Sequence, residues 1–124
     1  MGAGSVNPAE QIALARAYVA LSNAHRVDFI LPMFADAVTY LSTNVGRFEG
    51  GDAISGMMTG FFARFPDVAW DVREFRYVGD GMVEFDFVMT ATDGETGEPV
   101  EREGLETIAF TDEGFVSRIE VVNR

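Results

Sequence analysis

Two hydrophobic periods divide the chain. Through residues 8–65 apolar residues recur mainly at three- and four-residue spacing, and from Val68 onward they alternate with polar ones. Asn7-Pro8-Ala9-Glu10 has the form of a helix start, with Asn as N-cap, Pro at the first helical position and Glu three residues after the cap. The spacing predicts a helix to about Asn23 with Leu14, Tyr18 and Leu21 on one face and Ile12, Ala15 and Val19 beside them, so that Tyr18 points inward. A second helix over Val27–Phe34 is kinked or shortened by Pro32, which has no N–H to donate. Ala37–Leu41 reads as a strand and Arg47–Glu49 as a shorter one. Gly50-Gly51-Asp52 supplies a turn and an N-cap for a third helix, which Pro66 must follow. Ile54, Met57, Met58, Phe61, Phe62 and Phe65 give that helix a broad apolar face, and Gly56 and Gly60 allow close packing.

In the second half, Val68, Trp70 and Val72 share a face, whereas Phe75 and Tyr77 have the opposite parity; a bulge near Arg73-Glu74 would return them to the core. Gly79-Asp80-Gly81 turns the chain into MVEFDFVMTATD, where Val83, Phe85, Phe87 and Met89 alternate with Glu84 and Asp86. Further turns at 93–97 and 111–114 lead to the strand EREGLETIAF and then to Phe115–Val122. About three N-terminal helices followed by an antiparallel meander predict an α+β domain, with helices on one face of a curved sheet and a pocket on the concave side. The expectation is one domain over residues 1–124, with 1–7 a flexible tail.

Composition narrows the chemistry. A formal charge of −11, with 15 of the 20 acids in residues 63–124, repels phosphate backbones and argues against nucleic acid as a partner. No apolar run approaches the roughly 18 residues of a membrane span, and no signal-like segment opens the sequence, so a cytoplasmic, non-membrane protein is expected. There is no Cys, no Lys and a single His, His25, which removes a thiol nucleophile, a Schiff-base lysine and a multi-histidine metal site. Neither a metal nor a cofactor is expected, and the chemistry left must use carboxylates, Tyr, Arg, amides and the backbone.

Within EREGLETIAF, the two-residue period puts Glu106 on the same face as Ile108 and Phe110. An acid on an apolar face is either a paired structural charge, with Arg102 or Tyr18 as partner, or a group whose raised pKa serves chemistry in a cavity. An apolar wall of Trp70, Phe85, Phe87 and Ile108 would keep it partly protonated near neutral pH.

Four segments taken in order, AYVALSNAHRVDFILPMFADAVTY (17–40), GRFEGGDAI (46–54), FFARFPDVAWDV (61–72) and TIAFTDEGFVSRIEVV (107–122), resemble the SnoaL-like polyketide cyclase and ketosteroid isomerase group of the nuclear transport factor two-like fold. The resemblance implies a cone-shaped α+β barrel, an apolar pocket for a hydrophobic small molecule between helices and sheet, and a homodimer packed through the outer face of the sheet. In ketosteroid isomerases a helix Tyr and a late-strand acid hold the oxyanion, and an Asp after the first strand moves the proton. Carried over, these positions fall on Tyr18, Glu106 and Leu41. Leu41 cannot take a proton, which argues against the usual isomerase route. The Arg and Asp of the fold's epoxide hydrolases fall on Phe87 and Met89, and the acid that many relatives carry late in the last strand falls on Asn123.

Two function classes follow. One is an isomerase-, cyclase- or dehydratase-like enzyme without a cofactor, with Glu106 as acid/base and Tyr18 or Tyr40 as oxyanion donor, and with Leu14, Leu41, Met57, Met58, Phe61, Trp70, Phe85, Phe87, Met89 and Ile108 around the substrate. The other is a binding or accessory domain that keeps the cavity but has lost the base, as Leu41 suggests.

Overall fold

The computed structural model describes residues 5–124. Helix α1 (Pro8–Asn23) begins with a reciprocal cap: the Glu10 N–H donates to Asn7 Oδ1 at 2.9 Å, and the Asn7 N–H donates to Glu10 Oε1 at 3.1 Å. Part of the expected tail, residues 1–4, lies outside the described residues; within the rest, Val6 donates its N–H to the Asp112 carbonyl at 2.8 Å. The buried stripe of α1 is Gln11, Ala15, Tyr18 and Ser22. It is rotated from the apolar face read in the sequence, leaving Leu14 and Leu21 only partly buried.

Pro32 divides the second helical segment as its missing donor requires: α2 covers Val27–Ile30 and a 3-10 turn covers Leu31–Met33. Strands β1 (Phe34–Ser42) and β2 (Gly46–Glu49) follow, then α3 (Gly51–Arg64). The cap of α3 is Gly50, at φ 87°, and not Asp52, which lies inside the first turn where its charge favours the helix dipole. The remaining strands are β3 (Ala69–Val72), β4 (Arg76–Gly79), β5 (Met82–Thr92), β6 (Pro99–Phe110) and β7 (Val116–Asn123). In place of a bulge, the chain leaves the sheet between β3 and β4. Phe75 still packs on Phe85 at 4.9 Å, while Tyr77 remains 38% exposed.

The sheet runs β2-β1-β7-β6-β5-β3, with β4 also paired to β5. Among the described residues only β1 and β7 pair in parallel. The α+β class agrees with the sequence, but the cone-shaped barrel does not: the sheet is open, and its edges β2 and β3 do not pair with each other. The physical reason is that helices take up the two edges: α3 packs on β2 and α1 packs on β3, so neither edge strand is free to join the other. The β3 edge finds a substitute partner. Asn23, at the end of α1, accepts from the Trp70 N–H at 2.7 Å and donates to the Trp70 carbonyl at 3.0 Å. Among the described residues no helix is long and apolar enough to cross a membrane.

Candidate active site

The strand β6 carries its inward-facing residues at even positions, as alternation requires, and of these Arg102 and Glu106 line a cavity. Gly104, Glu106, Ile108 and Phe110 are all buried, and Arg102 is partly so. Glu106 is 7% exposed. Its neighbours across the ladders are Phe85 on β5 and Val121 on β7, so apolar side chains flank it on both sides. Among the described residues it makes no salt bridge, and no hydrogen bond of its side chain is present. Burial alone therefore acts on it, pushing its pKa from 4.5 up to about 8. The alternative that Arg102 pairs a structural carboxylate is not what the side chains do.

Gly104 is the space that makes this face possible. A β-carbon there would lie 2.6 Å from Phe87 Cζ and 2.7 Å from the Val122 carbonyl oxygen, so the ring of Phe87 occupies the room a side chain would need. Phe87 sits directly opposite Gly104 in the ladder and closes the wall between Arg102 and Glu106.

A cavity opens over Glu106, with about 70 Å³ available to the centres of water molecules. At roughly 10–15 Å³ per water on that measure it has room for several waters or a small ring system. Tyr18 from α1 and Tyr40 from β1 line it with Glu106. The Tyr18 pKa is raised, first by burial and then by the nearby Glu106 charge and Tyr40, with Ser22 a smaller opposing influence. The Tyr40 pKa is raised by burial and, less, by Glu106. Both phenols are therefore protonated donors at neutral pH, and with a protonated Glu106 they make three neutral O–H groups around one space.

The apolar wall consists of Met57, Met58 and Phe61 from α3, Trp70 from β3, and Phe85, Phe87 and Met89 from β5, all expected from the sequence. Three expected residues lie elsewhere. Leu14 packs its Cδ1 against the β6–β7 turn at Gly114, and Ile108 is fully buried in the core between Val83 and Ile119. Leu41 is 46% exposed on the opposite face of β1. Strand parity explains this, because the inward positions around it are Val38, Tyr40 and Ser42. A base position on Leu41 is thus corrected to a solvent-facing one, and the pocket receives Tyr40 and Ser42, neither of them a carboxylate.

The cavity also takes residues not singled out in the sequence: Val19 and Ser22 on α1, Ser42, Asn44 and Val45 near the β1–β2 turn, Phe62 on α3, and Arg102, Val121 and Asn123. Ser22 lies one helical turn beyond Tyr18, and Ser42 and Asn123 share the parity of Tyr40 and Val121; these spacings were the available signals. Thr43 joins Asn123 by two hydrogen bonds, 3.0 and 3.2 Å, fixing this end of the site. His25 lies outside it, with φ 56°, its ring stacked on Phe62 at 4.3 Å and its Nε2 3.0 Å from the Val68 carbonyl. A carbonyl can only accept, so that nitrogen carries the proton. Among the described residues no three His, Asp or Glu side chains gather as metal ligands.

The fold recurs in solved structures. AclR of Streptomyces galilaeus, a candidate hydroxylase, superposes with a TM-score of 0.79 at 24% identity over 95% of this chain and 91% of that one. A candidate isomerase of Bacillus subtilis gives 0.81 at 16% identity over 96% and 90%. SalBIII, an epoxide hydrolase/cyclase-like enzyme of pyran-ring formation in the polyether salinomycin, gives 0.83 at 17% identity over 93% and 91%. No curated protein matches the chain. The SnoaL-like domain profile matches residues 15–119, most of the chain, and places this protein in the SnoaL-like family.

Proposed function

We propose that the protein is an acid–base enzyme of the isomerase, cyclase or dehydratase kind, working without a cofactor on a hydrophobic, carbonyl-bearing small molecule such as a polyketide- or terpenoid-like ring. The observation that carries this reading is Glu106: an unpaired carboxyl group between Phe85 and Val121, opening onto a cavity with two phenols, Tyr18 buried and Tyr40 partly buried. A pKa of about 8 leaves it mostly protonated at neutral pH, so it can donate to an oxygen and surrender its proton there. Tyr18 and Tyr40 then stabilise the charge that develops on that oxygen. The shared fold with SalBIII and with the candidate isomerase of Bacillus subtilis supports chemistry of this class. A homodimer through the outer face of the sheet belongs to the same proposal.

A step consistent with the geometry is enolisation. The Glu106 proton passes to the carbonyl oxygen while the α-proton leaves to water, giving the enol and a Glu106 carboxylate that solvent reprotonates. Reversal in deuterated water places deuterium on carbon. The test is proton NMR of 2-tetralone in such water, following loss of the α-proton signals. The wild type should accelerate exchange over buffer, Glu106→Gln should abolish the acceleration, and Tyr18→Phe or Tyr40→Phe should each reduce it about tenfold or more. Enzyme-dependent exchange should decline above a pH of about 8 as the acid ionises. No acceleration over buffer, or full activity in Glu106→Gln, would remove the proposal.

A second reading has one observation in its favour. Among the described residues Glu106 is the only carboxylate lining the cavity, so no separate base stands beside it there. A binding domain that keeps the hollow without turnover accounts for that, and predicts ligand affinity with no exchange.

A further inference from the structure

Six of the arginines, Arg26, Arg47, Arg64, Arg76, Arg118 and Arg124, each face a carboxylate within 4 Å. Among the described residues Arg16, Arg73 and Arg102 do not, although the chain carries 20 acids, and of these three Arg102 is set apart by its place. Among the described residues it has no ion-pair partner, and it lines the cavity that holds Glu106. Its sequence neighbours Glu101 and Glu103 are exposed and point to the other face of β6, as strand alternation dictates. Arg64, beside the Phe65 ring that Arg102 covers, is already engaged with Asp93 at 2.9 Å and Glu95 at 3.6 Å. The Arg102 guanidinium carbon stands 5.8 Å from the centre of that ring, a placement that holds a planar, permanently charged fork against an apolar support.

Arg102 and Glu106 share one face of one strand, four residues apart, which separates their backbones by roughly 13 Å. The side chain of Phe87 fills the gap at Gly104 between them. The two groups do not neutralise each other, since burial is the sole influence raising the Glu106 pKa. The cavity therefore has two different polar ends joined by an aromatic wall. At one end a neutral acid and two phenols suit a carbonyl or hydroxyl oxygen. At the other a free guanidinium suits a planar anion, and a single fork in a small apolar hollow matches a carboxylate better than a phosphate dianion.

We infer that Arg102 is a substrate-recognition residue and that the ligand is a hydrophobic carboxylic acid, its ring spanning the cavity with the carboxylate on Arg102. This deepens the acid–base reading by naming the substrate class. The attraction acts against the overall charge of −11, so a preference for an anion over its neutral analogue would be a local property of this end of the cavity.

Calorimetric titration with 2-naphthoate and with 2-naphthamide, at a pH of about 6.5 where Glu106 keeps its proton, separates the possibilities. The wild type should bind naphthoate about tenfold or more tightly than naphthamide. Arg102→Met, which keeps an apolar stem over Phe65, should lower naphthoate affinity far more than naphthamide affinity and so erase that preference, and Arg102→Lys should restore part of it. Naphthamide binding also reports that each variant is folded with its cavity intact. A wild-type protein that binds naphthamide without preferring naphthoate, or a preference that survives in Arg102→Met, overturns the assignment and leaves the acid–base reading standing. A wild-type protein that binds neither probe overturns both.

Discussion

Phe85 and Glu106 stand directly opposite each other in the β5–β6 ladder, and both are almost wholly buried, at 1% and 7% exposure. Such a pair places β-carbons about 4.5–5.5 Å apart. The ring therefore excludes water from one side of the carboxyl group while Val121 does the same from the other. The unusual protonation of Glu106 is a consequence of this sandwich.

Phe85→Ala should separate the cost of the ring from its electrostatic effect. The variant is expected to lose about 3–5 kcal/mol of stability in urea unfolding, as large core truncations do. Water entering the vacated space should also move the Glu106 midpoint down from about 8 toward 4.5. Retention of the raised midpoint in a folded Phe85→Ala variant would mean that other groups hold the proton.

Stability should carry the same signature. The folded protein binds the Glu106 proton more tightly than the unfolded chain, about 8 against 4.5. Below the lower value both states are protonated and the contribution is fully present. Between the two values the unfolded chain releases the proton first, so stability falls as pH rises. Above about 8 the loss is complete and on the order of 5 kcal/mol. Glu106→Gln lacks this titration, so its stability relative to wild type should rise between these limits and then level off. Parallel curves from urea unfolding across that window would contradict the assignment.

Gly104→Ala should damage the site without touching a polar group. The added methyl meets the Phe87 ring and a backbone oxygen at once, and the backbone cannot yield as a flexible side chain could. A cost of about 1–3 kcal/mol is expected, the usual range for overpacking. Displacement of Phe87 into the cavity should weaken naphthamide binding; unchanged stability and unchanged binding would show that the ring has other room.

Much of this architecture was legible in the sequence because local chemistry determined it. Asn7 and Glu10 set one end of α1, Pro32 broke the second helix, and the alternation of Val83, Phe85, Phe87 and Met89 gave β5 its inner face. Glu106 was conspicuous for the same reason, since alternation alone placed it among apolar neighbours. What escaped depended on contacts between distant segments. The openness of the sheet depends on how α3 and α1 pack at its two edges, which no local pattern encodes. The buried stripe of α1 includes Gln11 and Ser22, so hydrophobicity pointed to a face rotated toward Leu14. The parity of β1 assigned Ser42, not Leu41, to the pocket, and a carry-over of motif positions off by one residue reverses the direction of a strand side chain. Strand alternation offers Arg102 or Tyr18 as a structural partner for Glu106 alongside an unpaired acid, and only the three-dimensional arrangement reveals that Arg102 and Glu106 remain apart.

The most direct measurement is a carbon-13 NMR titration of the Glu106 carboxyl group, using protein labelled at glutamate and assigned by the missing signal in Glu106→Gln. The account predicts a midpoint of about 8, with the acid predominantly protonated at neutral pH. A midpoint near 4.5 would contradict it, because an ordinary carboxylate at this position could not serve as the neutral proton donor.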